Sequence, residues 1–138
     1  MQPFRFHSIY QPRIWGGQSM RTMLGRELPD RETAYGEAWE ISDRPEAMSI
    51  VKDGEWEGMP LHRLWEEHRQ EIFGPGYERF PRFPLLCKIL DARENLSVQV
   101  HPPERTAAAR QGEVKNEIWY VLHASPDALI YGGMEENA

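Results

Sequence analysis

Leu96-Ser97-Val98-Gln99-Val100-His101, followed by Pro102, alternates apolar and polar residues, and side chains alternate faces along a strand. Ser97, Gln99 and His101 therefore share one face, with Leu96, Val98 and Val100 on the other. Such a strand needs one covered face. With the valine face covered, the polar trio meets solvent; with both faces enclosed, it lines an interior cavity. Gln99 and His101 then stand roughly 6.5–7 Å apart at the backbone, two potential ligands on one face. Further along, Lys115-Asn116-Glu117-Ile118-Trp119-Tyr120 places Lys115 and Glu117 on one face and Ile118 and Tyr120 on the opposite one. On neighbouring strands, Glu117 could meet His101. An imidazole nitrogen, a carboxylate oxygen and an amide oxygen form a donor set suited to a divalent ion such as Zn²⁺. The plainer alternatives are a solvated polar face with a chance histidine, and a surface Lys–Glu pair worth about 0–1 kcal/mol.

Working outward, short strands and turns dominate. Phe4 and Phe6 alternate with Arg5 and His7, and Trp15-Gly16-Gly17 is expected to break the chain. From Tyr35 to Ser42, Tyr35, Glu37, Trp39 and Ile41 share one face and Gly36, Ala38, Glu40 and Ser42 the other. Asp43-Arg44-Pro45 ends that strand, and Ser49-Ile50-Val51 runs into an Asp53-Gly54 turn. A helix is predicted over 60–72, with Pro60 at its first position. Leu61, Leu64, Trp65, His68 and Ile72 form its stripe, and Gly74-Pro75-Gly76 stops it. Arg63 and Glu67 sit i,i+4 on its polar side. Strands are expected from Leu85 to Leu90, Leu96 to His101, Ile118 to Leu122 and Asp127 to Tyr131, and a short helix over 103–111. The residues therefore point to one domain over 1–138, mainly β with helical insertions. Trp39, Trp119 and the single cysteine, Cys87, read as core. His62 and His68 read as half-buried helix histidines, and His7 and His123 as structural.

The 138 residues carry 16 Lys+Arg against 22 Asp+Glu, a net charge of −6, which argues against a nucleic-acid partner. An anionic small molecule remains compatible if a few lysines are concentrated in one pocket. No apolar run approaches the ~20 residues that span a bilayer, and MQPFRFHSIY lacks the profile of a secretory signal. One cysteine excludes an internal disulfide and a multi-cysteine zinc site, so a cytoplasmic chain is expected. Composition sets no oligomeric state.

Three stretches together resemble the type I mannose-6-phosphate isomerases, zinc enzymes of the cupin superfamily: Arg82-Phe83-Pro84-Leu85-Leu86-Cys87-Lys88-Ile89-Leu90-Asp91-Ala92, Ser97-Val98-Gln99-Val100-His101-Pro102, and Lys115-Asn116-Glu117-Ile118-Trp119-Tyr120. Arg13-Ile14-Trp15-Gly16-Gly17 and Gly36-Glu37-Ala38-Trp39-Glu40-Ile41-Ser42-Asp43 agree with the same family. The resemblance implies a cupin-type β-barrel or jelly roll, incomplete over these residues. By motif position it implies one zinc ion held by Gln99, His101 and Glu117. It implies a sugar-phosphate pocket lined by Lys88, Ser97 and Lys115 and closed by Trp15 and Glu37. The implied reaction interconverts mannose 6-phosphate and fructose 6-phosphate; no general base is identified. The family continues through a second half of the barrel, with a further histidine ligand and an arginine at the substrate, whereas this sequence stops at Ala138. The N-terminal part of a longer enzyme is therefore expected, with no appreciable isomerase activity in these residues alone. A non-catalytic sugar-binding cupin and an inactive fragment are the alternatives.

Overall fold

A computed structural model describes residues 3–112 and 114–133. The chain divides into two compact units, one ending at Ser97 and the other beginning at Val98.

The first unit is built on an antiparallel sheet of order β1-β2-β5, formed by β1 (Ile9–Gly17), β2 (Tyr35–Ile41) and β5 (Cys87–Leu90). Tyr10 pairs with Ala38 and Ala38 with Ile89; on the next positions Gln11 pairs with Glu37, and Glu37 with Leu90. Paired residues project to the same side, so the two faces are chemically distinct. The Tyr10–Ala38–Ile89 face packs on buried Met20, in the short helix α1 (Ser19–Thr22), and on Leu28. The other face carries Glu37, Trp39 and Lys88. The alternation thus separates a core face from a polar one at Glu37, Ala38 and Trp39, whereas Tyr35, expected on the Glu37 face, joins the core with Ala38 where the register shifts.

Trp15-Gly16-Gly17 does not break the chain: β1 runs through it, with register shifts between Gln11, Pro12 and Gly17. Its backbone lies so close to β2 that a Cβ on Gly16 would stand 2.5 Å from the Gly36 nitrogen. Glycine is thus what lets the strand continue.

A second core gathers around α2 (Leu61–Glu67) and α3 (Arg69–Phe73). Pro60 caps α2 rather than entering it, and its carbonyl accepts the Leu64 N–H at 3.1 Å. Leu61, Leu64 and Trp65 are fully buried with Val51. The expected single helix divides at His68, which leaves helical geometry (φ −126°) with its ring 4.3 Å from that of Trp56. Beyond the break Phe73 packs 5.0 Å from Trp65, and Phe83 closes the cluster at 5.6 Å. Ile72 is only half-buried. Arg63 and Glu67 form the expected surface pair at 2.8 Å.

The two-residue strands β3 (Asp43–Arg44) and β4 (Ala47–Met48) make a tight hairpin where a terminating turn was expected. Asp43 ties it to both neighbours. Its buried carboxylate accepts the Phe83 N–H at 2.7 Å and lies 2.9 Å from Nδ1 of half-exposed His62. Asp43→Ala leaves that amide and imidazole without their acceptor. It should cost about 1.5–3 kcal/mol, the range for hydrogen bonds to charged groups, in a urea melt. A loss under half a kcal/mol would show that solvent replaces the carboxylate.

In the second unit, α4 (Glu104–Ala107) and a 3₁₀ turn over Ala108–Arg110 form the expected short helix. The strands expected from Leu96 to His101, Ile118 to Leu122 and Asp127 to Tyr131 do not form. A period of two positions side chains only when a neighbouring strand supplies the ladder, and among the described residues none pairs with these segments. Neither face is covered: Val98 is 90% exposed, Ile118 97% and Tyr120 87%. Trp119 is correspondingly not core, being about half exposed. Cys87 is exposed as well, because β5 pairs only with β2 and Cys87 sits at the sheet's end opposite Ile41. His7 and His123 are also exposed.

Candidate active site

Glu37 is the centre of the polar sheet face. It is 6% exposed, a position no carboxylate holds without partners. Lys88 Nζ donates to its Oε1 at 2.7 Å. The Arg13 guanidinium donates to Oε2 at 2.6 Å, and Trp39 Nε1 reaches the same oxygen at 3.2 Å. Lys88 pairs with Trp39 across the sheet, so its stem leans diagonally toward Glu37. Burial pushes the Glu37 carboxyl up. The Lys88 hydrogen bond and charge, the Trp39 N–H and the Arg13 charge outweigh it, so the group lies below its ordinary value.

Gly36 makes this arrangement possible. A Cβ there would stand 2.6 Å from both Arg13 Cβ and Trp15 Cζ3. The missing side chain lets Arg13 and Trp15, two positions apart on β1, both lie across β2. Ile14 between them points out, 99% exposed. The Trp15 carbonyl accepts the N–H groups of Arg93 and Glu94 at 2.9 and 3.1 Å, fixing its backbone.

The structure thus pairs two of the residues implied for the sugar-phosphate pocket, Glu37 and Lys88, adds Arg13, and sets Trp15 against Gly36. Arg13 lies within a quoted motif, but no role was read for it. Its parity with Trp15 and the neighbouring Gly36-Glu37 are the signals that point to it. Ser97 is exposed and outside any element. In the second unit Lys115 and Glu117 form an ion pair at 3.2 Å. His101 opens onto a groove of about 540 Å³ that also takes in Arg105, Thr106 and Arg110. Gln99, His101 and Glu117 are all exposed. Among the described residues no group of three or more His, Cys, Asp and Glu side chains is placed to hold a metal ion.

Because the Glu37 carboxyl is depressed by folding, its contribution is fully present above the unfolded value near 4.5 and is lost as pH falls through the lower folded one. Glu37→Gln should cost about 1.5–3 kcal/mol at pH 7. Urea melts at descending pH should show the gap to the parent chain closing below about pH 4.5. A constant gap would mean that the pairs contribute nothing to stability.

The polar face of this open sheet thus gathers a lysine and an arginine on one buried carboxylate. Among the described residues no helix is long and apolar enough to cross a membrane. The family model for the type I phosphomannose isomerase catalytic domain matches residues 3–127, and the chain belongs to that family. It is 44% identical over 133 residues to the mannose-6-phosphate isomerase of Streptococcus mutans, covering 95% of this chain and 40% of that protein. It is 40% identical over 134 residues to mannose-6-phosphate isomerase ManA of Bacillus subtilis, covering 95% and 41%. The crystal structure of a Bacillus subtilis mannose 6-phosphate isomerase superposes with a TM-score of 0.70 at 37% identity, over 80% of this chain and 34% of that one. The chain therefore spans about 40% of the length of these curated relatives. Its fold is a cupin-type fold in part, without a closed barrel among the described residues.

Proposed function

We propose that the chain carries the sugar-phosphate cradle and part of the metal site of an enzyme that interconverts mannose 6-phosphate and fructose 6-phosphate. One observation carries the reading. Glu37 and Lys88, 51 positions apart, meet at 2.7 Å on one sheet face, and the family resemblance names both for the pocket. With one ammonium hydrogen on Glu37, Lys88 keeps two for phosphate or sugar oxygens. Arg13 and Lys88 against Glu37 leave the cluster one positive charge in a chain whose net charge is −6, which favours an anionic substrate. The family resemblance adds Trp15, Ser97 and Lys115 as further substrate residues. Lys88 and Lys115 stabilise the negative charge that develops on oxygen as a proton passes between C2 and C1 through an enediol. The base that moves this proton is not assigned to any residue of the chain.

Gln99, His101 and Glu117 are the residues that would hold the metal. An amide oxygen, an imidazole nitrogen and a carboxylate are donors that zinc accepts. When bound, a zinc ion orients the sugar and polarises its oxygens. Glu117 pairs with Lys115 at 3.2 Å, a partner its carboxylate would exchange for the metal. The reading also places the chain in the cytoplasm, on its single cysteine. Lys88→Met, which keeps the stem without the charge, tests the cradle. Mannose 6-phosphate should lose most of its affinity by isothermal titration at a temperature where the variant is still folded, its stability lowered by about 1.5–3 kcal/mol for the lost Glu37 partner. Unchanged affinity would remove Lys88 from the site.

A further inference from the structure

We propose that Arg13 is a positioning residue for the Lys88 ammonium and acts through Glu37; its bearing on catalysis rests on the reading of Lys88 as a sugar-phosphate contact. The two cations divide one carboxylate. Arg13 takes Oε2 at 2.6 Å, an oxygen shared with Trp39, and Lys88 takes only Oε1 at 2.7 Å. The carboxylate is almost wholly buried, while Arg13 and Lys88 keep about a third and a fifth of their side chains exposed. Both cations thus reach solvent from a common buried anchor.

The division decides how available Lys88 is. With Oε2 filled, Glu37 cannot turn its whole charge on the ammonium. Lys88 is therefore oriented without being neutralised, and the trio keeps a net positive charge. Without the guanidinium, Lys88 inherits an undivided carboxylate, draws in against both oxygens, and the local charge falls to zero. The device is built by the chain: Gly36 opens the path that Arg13 takes across β2, and the Arg13 N–H holds the Ala34 carbonyl at 3.0 Å. Arg13 is not placed on a reacting atom. Its effect passes through one shared oxygen pair.

Lys88 is one of three lysines, with Lys52 and Lys115, so its reactivity can be followed by peptide mass spectrometry after brief exposure to an acylating reagent. Arg13→Met keeps the aliphatic stem over Gly36 and removes the charge. It should slow acylation of Lys88 roughly three- to tenfold, the scale of one partly buried charge-assisted hydrogen bond, with Lys52 unchanged. Arg13→Lys should restore the rate to within about twofold, since an ammonium can still fill Oε2. In a Glu37→Gln background, Arg13→Met should have no effect. A role limited to packing would slow nothing, or would act equally in both backgrounds. Either result overturns the proposal, as does general acceleration at all three lysines. Mannose 6-phosphate as a protecting ligand separates the two readings. Slowed acylation in Arg13→Met with no protection of Lys88 in the parent chain upholds the positioning role and removes the sugar-phosphate reading.

Discussion

Trp65→Ala should cost about 3–5 kcal/mol, the range for deleting a buried large aromatic, and should bring the chain close to its stability threshold. Trp65 is wholly buried, and three rings depend on it: Phe73 at 5.0 Å, Phe83 at 5.6 Å and Tyr77 at 5.9 Å. Its Nε1 also donates to the Phe80 carbonyl at 3.2 Å, and the Arg69 guanidinium lies 4.7 Å from its ring centre. Truncation therefore removes the hub that holds segment 77–83 against α2 and α3. Leu64→Ala, fully buried on the same stripe, should cost roughly 2–5 kcal/mol. Denaturant melts of the two variants measure both. A loss below about half a kcal/mol for either would mean that the cluster is rebuilt without it. Segment 77–83 leads into β5, so Trp65→Ala is also expected to loosen Lys88, whereas Leu64→Ala should not.

That cluster was half legible in the sequence. The spacing of Leu61, Leu64 and Trp65 is a local property of one helix, and local periodicity survives whatever the rest of the chain does. The break at His68 is not local: it accompanies ring contact with Trp56, and no residue of the stripe announces it. The same division runs through the sheet. The predicted strand forms as β2 (Tyr35–Ile41), its alternation holding at 37–39 but not at Tyr35, which the register shift carries into the core. The passage of β1 through Gly16 and Gly17 depends on how near Tyr35 and Gly36 come, a tertiary fact that a pair of glycines conceals by looking like a turn. The alternation of Leu96–His101 is as clean as that of β2 but produces no strand, because alternation states a preference for a sheet without supplying its neighbour.

The candidate site divides in the same way. No periodicity led to Trp15, Glu37 or Lys88; the family resemblance singled them out, and the sheet register explains why Glu37 and Lys88 meet. Arg13 escaped because an arginine beside an exposed isoleucine reads as a surface residue until Gly36 is seen beneath it. Gln99, His101 and Glu117 were the sharpest feature of the sequence and are the least organised feature of the structure, because their common face existed only on paired strands.

Metal retention and turnover should therefore depend on chain length. A chain extended to the length of the relatives should bind zinc and form fructose 6-phosphate, whereas the 138 residues alone should bind zinc weakly and turn over negligibly. Ordering exposed segments such as 98–101 and 117–121 consumes binding free energy when no sheet has already ordered them. In the extended chain His101→Ala should remove the metal. Turnover should fall roughly 10²- to 10³-fold, the equivalent of several kcal/mol of charge stabilisation at 1.36 kcal/mol per decade. Lys88→Met should lower turnover while zinc content stays constant, because the lysine is anchored on the sheet by Glu37 and is not itself a proposed ligand. Metal analysis and a coupled assay on the same preparations separate the two effects. Full zinc content in His101→Ala would remove that histidine from the metal, and turnover by the 138 residues near that of the longer chain would show that 98–131 orders without further strands.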